Sequence, residues 1–141
     1  MENRFDMEFT GISENESFAR TVVSAFAAML DPTVEELAEL KTAVSEAVTN
    51  AIVHAYPEER GAVLLSGRVS ERTVYITVTD YGIGISDIDR AREPLYTGAP
   101  EQERSGLGFS IMESFCDEIS VTSNVGEGTT VMLVKSFREG I

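Results

Sequence analysis

One cysteine and one histidine occur in 141 residues, too few for an internal disulfide, a cysteine-rich zinc site or a histidine-based metal site. No apolar run approaches the roughly 20 residues that a membrane-spanning helix needs, and no leader pattern opens the chain, so a cytoplasmic protein is expected. Basic residues are scarce: 11 Lys and Arg stand against 24 Asp and Glu, a formal charge of −13. They form no stripe. Affinity for nucleic acid or for an anionic membrane rests on clustered cations that neutralise phosphates, so neither partner is expected. A basic protein surface fits this chain better, with a merely solvated acidic surface as the alternative. Repeats, low-complexity tracts and long linkers are missing as well. With 43% hydrophobic and 25% charged residues, the composition is that of one globular domain over residues 1–141.

Alternation of Phe5, Met7 and Phe9 with Asp6 and Glu8 predicts a short half-buried strand. A helix follows from Ser13, where Ser13 and Glu16 have capping-box spacing, and Phe18, Val22, Ala25, Phe26 and Met29 recur at helical intervals until Asp31-Pro32. Thr33 and Glu36 repeat the capping spacing, and Leu37, Leu40, Val44, Ala47, Val48 and Ala51 form the apolar stripe of a second helix that ends before Pro57. Residues 62–69 and 73–80 read as two strands around a tight turn, the second alternating Val74, Ile76 and Val78 with Tyr75, Thr77 and Thr79. Residues 81–105 break every period apart from one helical turn near Ile88, and a loop of that length in a compact domain is usually functional. Helix returns over 106–115, and a hairpin of 119–123 and 129–137 closes the chain around Gly126-Glu127-Gly128. The fold class is α+β: a two-layer sandwich with helices on one face of a mixed, mostly antiparallel sheet.

Four features carry chemistry. Glu46, Asn50 and His54 follow one another at four-residue steps beside the apolar stripe, so a carboxylate able to take a proton and an amide oxygen able to ligate a hard cation border the core. Asp80-Tyr81-Gly82-Ile83-Gly84 leaves a strand end, where a carboxylate can accept from an exocyclic amine and glycines let backbone approach a flat ligand. Arg104-Ser105-Gly106-Leu107-Gly108 opens a helix whose free N–H groups favour an anion such as phosphate. Gly126-Glu127-Gly128-Thr129-Thr130 makes the last turn. Each has an ordinary structural reading as helix surface, strand-end turn, helix entry or hairpin.

Their order is the distinctive part: Glu-x-x-x-Asn on a helix, Asp-x-Gly-x-Gly after a strand, Gly-x-Gly before a helix, and Gly-x-Gly-Thr at a final hairpin. In this the chain resembles the Bergerat (GHKL) ATP-binding fold. Residues 13–20, 30–56 and 103–119 further resemble the family of sporulation anti-sigma F factors, which are serine kinases as well as anti-sigma factors. The resemblance implies that Asn50 ligates Mg²⁺ bridging the phosphates of ATP or ADP. It implies that Asp80 binds the adenine amine with Gly82 and Gly84 beside it, and that Thr129, with Thr130 next to it, supports adenine. A lid at about 93–105, with Thr97, and the stretch Arg104, Ser105, Gly106, Leu107 and Gly108 would close over the phosphates. Ala99 brings no charge where related sequences commonly have lysine, so Thr97, Arg104 and backbone groups are left to that task. Glu46 would be the general base toward a serine of an anti-anti-sigma factor, and a surface with Glu16 and Arg20 would bind it in competition with a sporulation sigma factor. A homodimer built on the first strand and helix is also implied. The alternative is a nucleotide-gated module that sequesters the sigma factor with little or no phosphotransfer. His54 and Cys116 are read as packed or surface residues.

Overall fold

The computed structural model describes residues 2–56, 61–85, 87, 88, 92 and 108–138. Five strands form one sheet: β1 (Glu2–Thr10), β2 (Ala62–Ser70), β3 (Thr73–Asp80), β4 (Glu118–Asn124) and β5 (Gly128–Ser136). Their order is β1-β2-β3-β5-β4, and every pairing is antiparallel. The expected mixed, mostly antiparallel sheet thus has no parallel pair among the described strands. Helices α1 (Glu14–Ala28), α2 (Val34–Thr49) and α3 (Gly108–Phe115) complete the second layer. Ser70 pairs with Thr73 across the tight turn, where Glu71 takes φ 58°, and Asn124 pairs with Gly128 across the other hairpin.

Strand alternation decides what the helices cover. Val63, Leu65 and Val69 of β2, Val74, Ile76 and Val78 of β3, and Val131 and Leu133 of β5 are buried against the helices. Leu40, Ala43, Val44, Ala47 and Val48 of α2 meet them, with Phe109 and Met112 of α3 added to the same core. Cys116 belongs to that core, and burial pushes its thiol up to about 11, so it is a packed side chain rather than a nucleophile.

Two helix starts with the same sequence signal behave differently. Thr33 is extended (φ −68°, ψ 161°), its hydroxyl accepts from Glu36 N–H at 3.0 Å, and Glu36 Oε1 accepts from Thr33 N–H at 2.9 Å, a complete capping box. The box expected at Ser13 does not form. Ser13 is already helical (φ −59°, ψ −30°), which turns its hydroxyl away from the free N–H groups, and the chain enters α1 through Asn15 N–H to Ile12 C=O at 2.9 Å.

The apolar face of α1 also differs from expectation. Ala19, Val23, Phe26 and Ala27 are buried, while Phe18 and Met29 are 49% and 52% exposed. Two apolar stripes run side by side on this helix, and the one with alanines lets it approach α2 and the sheet more closely. Phe18, Ala25 and Met29 consequently stay at the surface, and Met29 lies next to β1, where Asn3 Nδ2 contacts Met29 Sδ at 3.7 Å.

Candidate nucleotide site

α2 does not run on to Pro57 as a regular helix. After Thr49 the chain makes a π-turn, Asn50–His54, closed by Ala55 N–H to Asn50 C=O at 3.1 Å. The four-residue α spacing expected to link Asn50 with His54 therefore fails at Asn50, and such turns recur at functional sites. Glu46 and Asn50 are both half-buried at the border of the core. The start of α3 lies against them. A Cβ on Gly108 would sit 3.2 Å from Glu46 Oε2, 3.6 Å from Asn50 Nδ2 and 3.8 Å from Asn50 Oδ1. Residues 46, 50 and 108, far apart in sequence, are thus neighbours.

Asp80 takes the inward position after Val78 and is 6% exposed. Its Oδ1 accepts from Gly82 N–H at 3.0 Å and from Thr129 N–H at 3.2 Å, Thr129 being its partner across β3 and β5. Both hydrogen bonds it accepts among the described residues are at Oδ1, and none of those residues donates to Oδ2. Burial raises the pKa of this carboxyl, and the two N–H groups offset that only in part.

The loop after Asp80 is held at alternate amides. Tyr81 N–H donates to the Tyr56 hydroxyl at 2.7 Å, Ile83 N–H to Ala55 C=O at 3.0 Å, and Ile85 N–H to the Ser123 hydroxyl at 2.7 Å. Ser123 Oγ also lies 3.0 Å from Gly128 C=O and 2.7 Å from Thr129 Oγ1. A hydroxyl has one proton, so Ser123 donates to the carbonyl and accepts from both Ile85 N–H and the Thr129 hydroxyl. That leaves a Thr129 lone pair able to accept from a water or ligand. The glycines serve the chain itself first. A Cβ on Gly82 would lie 2.1 Å from Ala55 O, and one on Gly84, at φ +76°, would lie 2.3 Å from Asn124 O.

The structure thus gathers Glu46, Asn50 and Gly108 in one group and Asp80, Gly82, Gly84 and Thr129 in another, with the π-turn and Ala55 running between the two. Thr130 points to the other face of the sheet, where its Oγ1 meets Thr79 Oγ1 at 3.2 Å. Glu16 and Arg20 form an ion pair at 3.8 Å on α1. Thr97, Arg104, Ser105, Gly106, Leu107 and the lid at 93–105 lie outside the described residues. Tyr56 and Ser123 are site residues that sequence reasoning missed; only the position of Tyr56 beside Pro57, at the end of the second helix, hinted at a role.

Among the described residues no group of three or more His, Cys, Asp or Glu side chains is placed to hold a metal ion. A single amide oxygen suits Mg²⁺ that keeps its waters and takes its remaining ligands from phosphates, so Asn50 fits such an ion. No helix among the described residues is long and apolar enough to cross a membrane.

Residues 13–135 match the histidine kinase-like ATPase domain family. The anti-sigma F factor of Pasteuria penetrans is 56% identical over 138 residues, covering 96% of this chain and 92% of that protein. That of Bacillus subtilis (strain 168) is 52% identical over 136 residues, covering 96% and 93%. The crystal structure of the RsbU and RsbW domains of Rv1364c from Mycobacterium tuberculosis superposes with a TM-score of 0.67 at 16% identity, covering 96% of this chain and 32% of that one, a likeness of fold alone.

Proposed function

This chain belongs to the anti-sigma F factor family, and from that premise we propose that it is a Mg²⁺-ATP-dependent protein serine kinase that sequesters a sporulation sigma factor and phosphorylates an anti-anti-sigma factor. The observation that carries the reading is the convergence of Glu46, Asn50 and the start of α3 at one end of the π-turn, with Asp80 and its available Oδ2 at the other. In this reading Asp80 accepts from the adenine amine and Thr129 supports the base. Asn50 supplies an oxygen ligand to Mg²⁺, which when bound neutralises phosphate charge. The N–H groups opening α3 face the phosphates, and Glu46 accepts the proton of the attacking serine hydroxyl. Phosphoryl transfer asks a protein mainly to position reactants and balance charge, and no covalent phosphoenzyme is needed.

Partner binding is proposed for the α1 surface with Glu16 and Arg20, where a −13 chain meets a basic sigma surface and association slows as salt rises. A homodimer is proposed through the edge strand β1, Met29 beside it and the exposed Phe18 on the same helix, because open edges and apolar stripes are normally covered.

The test is Glu46→Gln. It should leave Mg²⁺-ATP affinity at the parent value and lower phosphotransfer by roughly 10²-fold or more, the weight of a positioned base. Transfer at the parent rate would remove Glu46 as the base; no transfer by the parent itself, with sigma binding intact, would favour the sequestering module.

A further inference from the structure

We propose that Tyr56 is a positioning residue for base selection, its hydroxyl holding the Asp80 carboxylate so that the site prefers adenine to guanine; the proposal rests on the nucleotide reading above. The Tyr56 hydroxyl makes two hydrogen bonds of fixed direction. Tyr81 N–H can only donate, at 2.7 Å, and Ala62 C=O can only accept, at 2.8 Å, so the phenol accepts from the first and donates to the second. These are the residue after Asp80 and the residue before Val63, and Val63 is the β2 partner of Asp80. The hydroxyl therefore bridges β2 and β3 at the point where the chain leaves the sheet. The ring packs closely over Gly61, where an added Cβ would lie 2.2 Å from it.

Orientation passes from this bridge to the carboxylate. Asp80 Oδ1 accepts from Gly82 N–H, and Gly82 lies between Tyr81, held by Tyr56, and Ile83, whose N–H donates to Ala55 C=O. With Oδ1 anchored by Gly82 and Thr129, the plane of the carboxylate is set and Oδ2 is the oxygen left to accept. Adenine offers an amine there; guanine offers a carbonyl oxygen, which a carboxylate repels. Loosening Tyr81 lets the carboxylate turn, which weakens adenine binding and relaxes rejection of guanine. The phosphate end, built on Glu46, Asn50 and α3, is untouched.

Tyr56→Phe keeps the ring over Gly61 and removes only the hydroxyl. Dissociation constants of Mg²⁺-ATP and Mg²⁺-GTP, melting temperature, and hydrogen exchange at the Tyr81 amide without nucleotide are measured on parent and variant. ATP affinity should fall roughly tenfold, the weight of one lost hydrogen bond to the loop, with GTP affinity within about twofold of the parent. Exchange at Tyr81 should quicken, and the melting temperature should fall by only a few °C, as the loss of two hydrogen bonds implies. An unchanged ATP/GTP ratio overturns the assignment, as does an equal loss for both nucleotides together with a large fall in melting temperature, which marks a purely structural tyrosine. A parent that binds neither nucleotide overturns the nucleotide reading instead, and Tyr81 exchange that stays slow in Tyr56→Phe overturns the bridge whatever the nucleotide result.

Discussion

Asp80→Asn should separate stability from nucleotide binding, with opposite signs. Burial raises the pKa of Asp80, and the N–H groups of Gly82 and Thr129 offset this only in part. An acid whose folded pKa exceeds its unfolded value makes the folded state bind its proton more tightly, so ionising it destabilises the fold. The penalty is absent below the ordinary value of 3.8, grows as pH rises toward the folded value, and is complete above it. An asparagine oxygen accepts the same two hydrogen bonds without a charge. The nucleotide-free variant should therefore melt no lower than the parent at pH 7, and the two should converge in acid. Binding goes the other way. Because the two N–H groups hold the oxygen at the Oδ1 position, the amide NH₂ takes the place of Oδ2 and opposes the adenine amine donor to donor. A lost charged acceptor and an unpaired buried donor cost about 2–3 kcal/mol, roughly 30- to 150-fold in dissociation constant. Calorimetric titration with Mg²⁺-ATP, and melting curves at pH 7 and pH 4 without nucleotide, read both effects. Parent-like ATP affinity, or a melting temperature at pH 7 lower by more than about 4 °C, near 1 kcal/mol for a domain of this size, refutes the reasoning.

Other outcomes follow from the same geometry. Thr33→Ala removes the hydroxyl that accepts from Glu36 N–H, the side-chain half of a formed capping box, and should cost about 1 kcal/mol in chemical denaturation, whereas Ser13→Ala should cost next to nothing; equal losses would contradict the two helix starts. Gly82→Ala drives a methyl to 2.1 Å from a backbone oxygen that cannot give way cheaply, so about 2 kcal/mol of stability should go, with ATP binding, and a parent-like melting curve would refute the packing. If the proposed dimer forms through α1 and β1, Phe18→Glu with Met29→Glu should give a monomer in light scattering at micromolar concentration without lowering thermal stability of the fold; a dimer that persists in the variant, or a parent that is itself monomeric, refutes that interface.

Much of the frame is legible along the chain because it is local. The stripe through Leu40, Val44 and Val48, the cap at Thr33 and the alternation that carries Val74, Ile76 and Val78 on to an inward Asp80 all depend on neighbours a few residues away. Where two local readings tie, tertiary packing decides. The stripes on α1 are offset by one residue, and only contact with α2 and the sheet selects Ala19, Val23 and Ala27 over Phe18 and Met29. Spacing alone gives four separate motifs, since nothing in it places Gly108 beside Glu46; their order and the family resemblance are what join them into one site. Tyr56 and Ser123 act on amides 25 and 38 residues away, and single-residue hydrogen bonds at that range leave no periodic trace. Neither does the π-turn, closed by Ala55 N–H to Asn50 C=O while Ala55 C=O accepts from Ile83 N–H in the loop after Asp80.

Phosphoserine formation on an anti-anti-sigma domain, followed by mass spectrometry with the purified chain and Mg²⁺-ATP, tests the central claim most directly. The account predicts one phosphate on one serine of the partner, dependent on Mg²⁺, lost in Asn50→Ala and slowed roughly 10²-fold or more in Glu46→Gln. A partner that binds and stays unmodified, while the chain retains Mg²⁺-ATP, would contradict it.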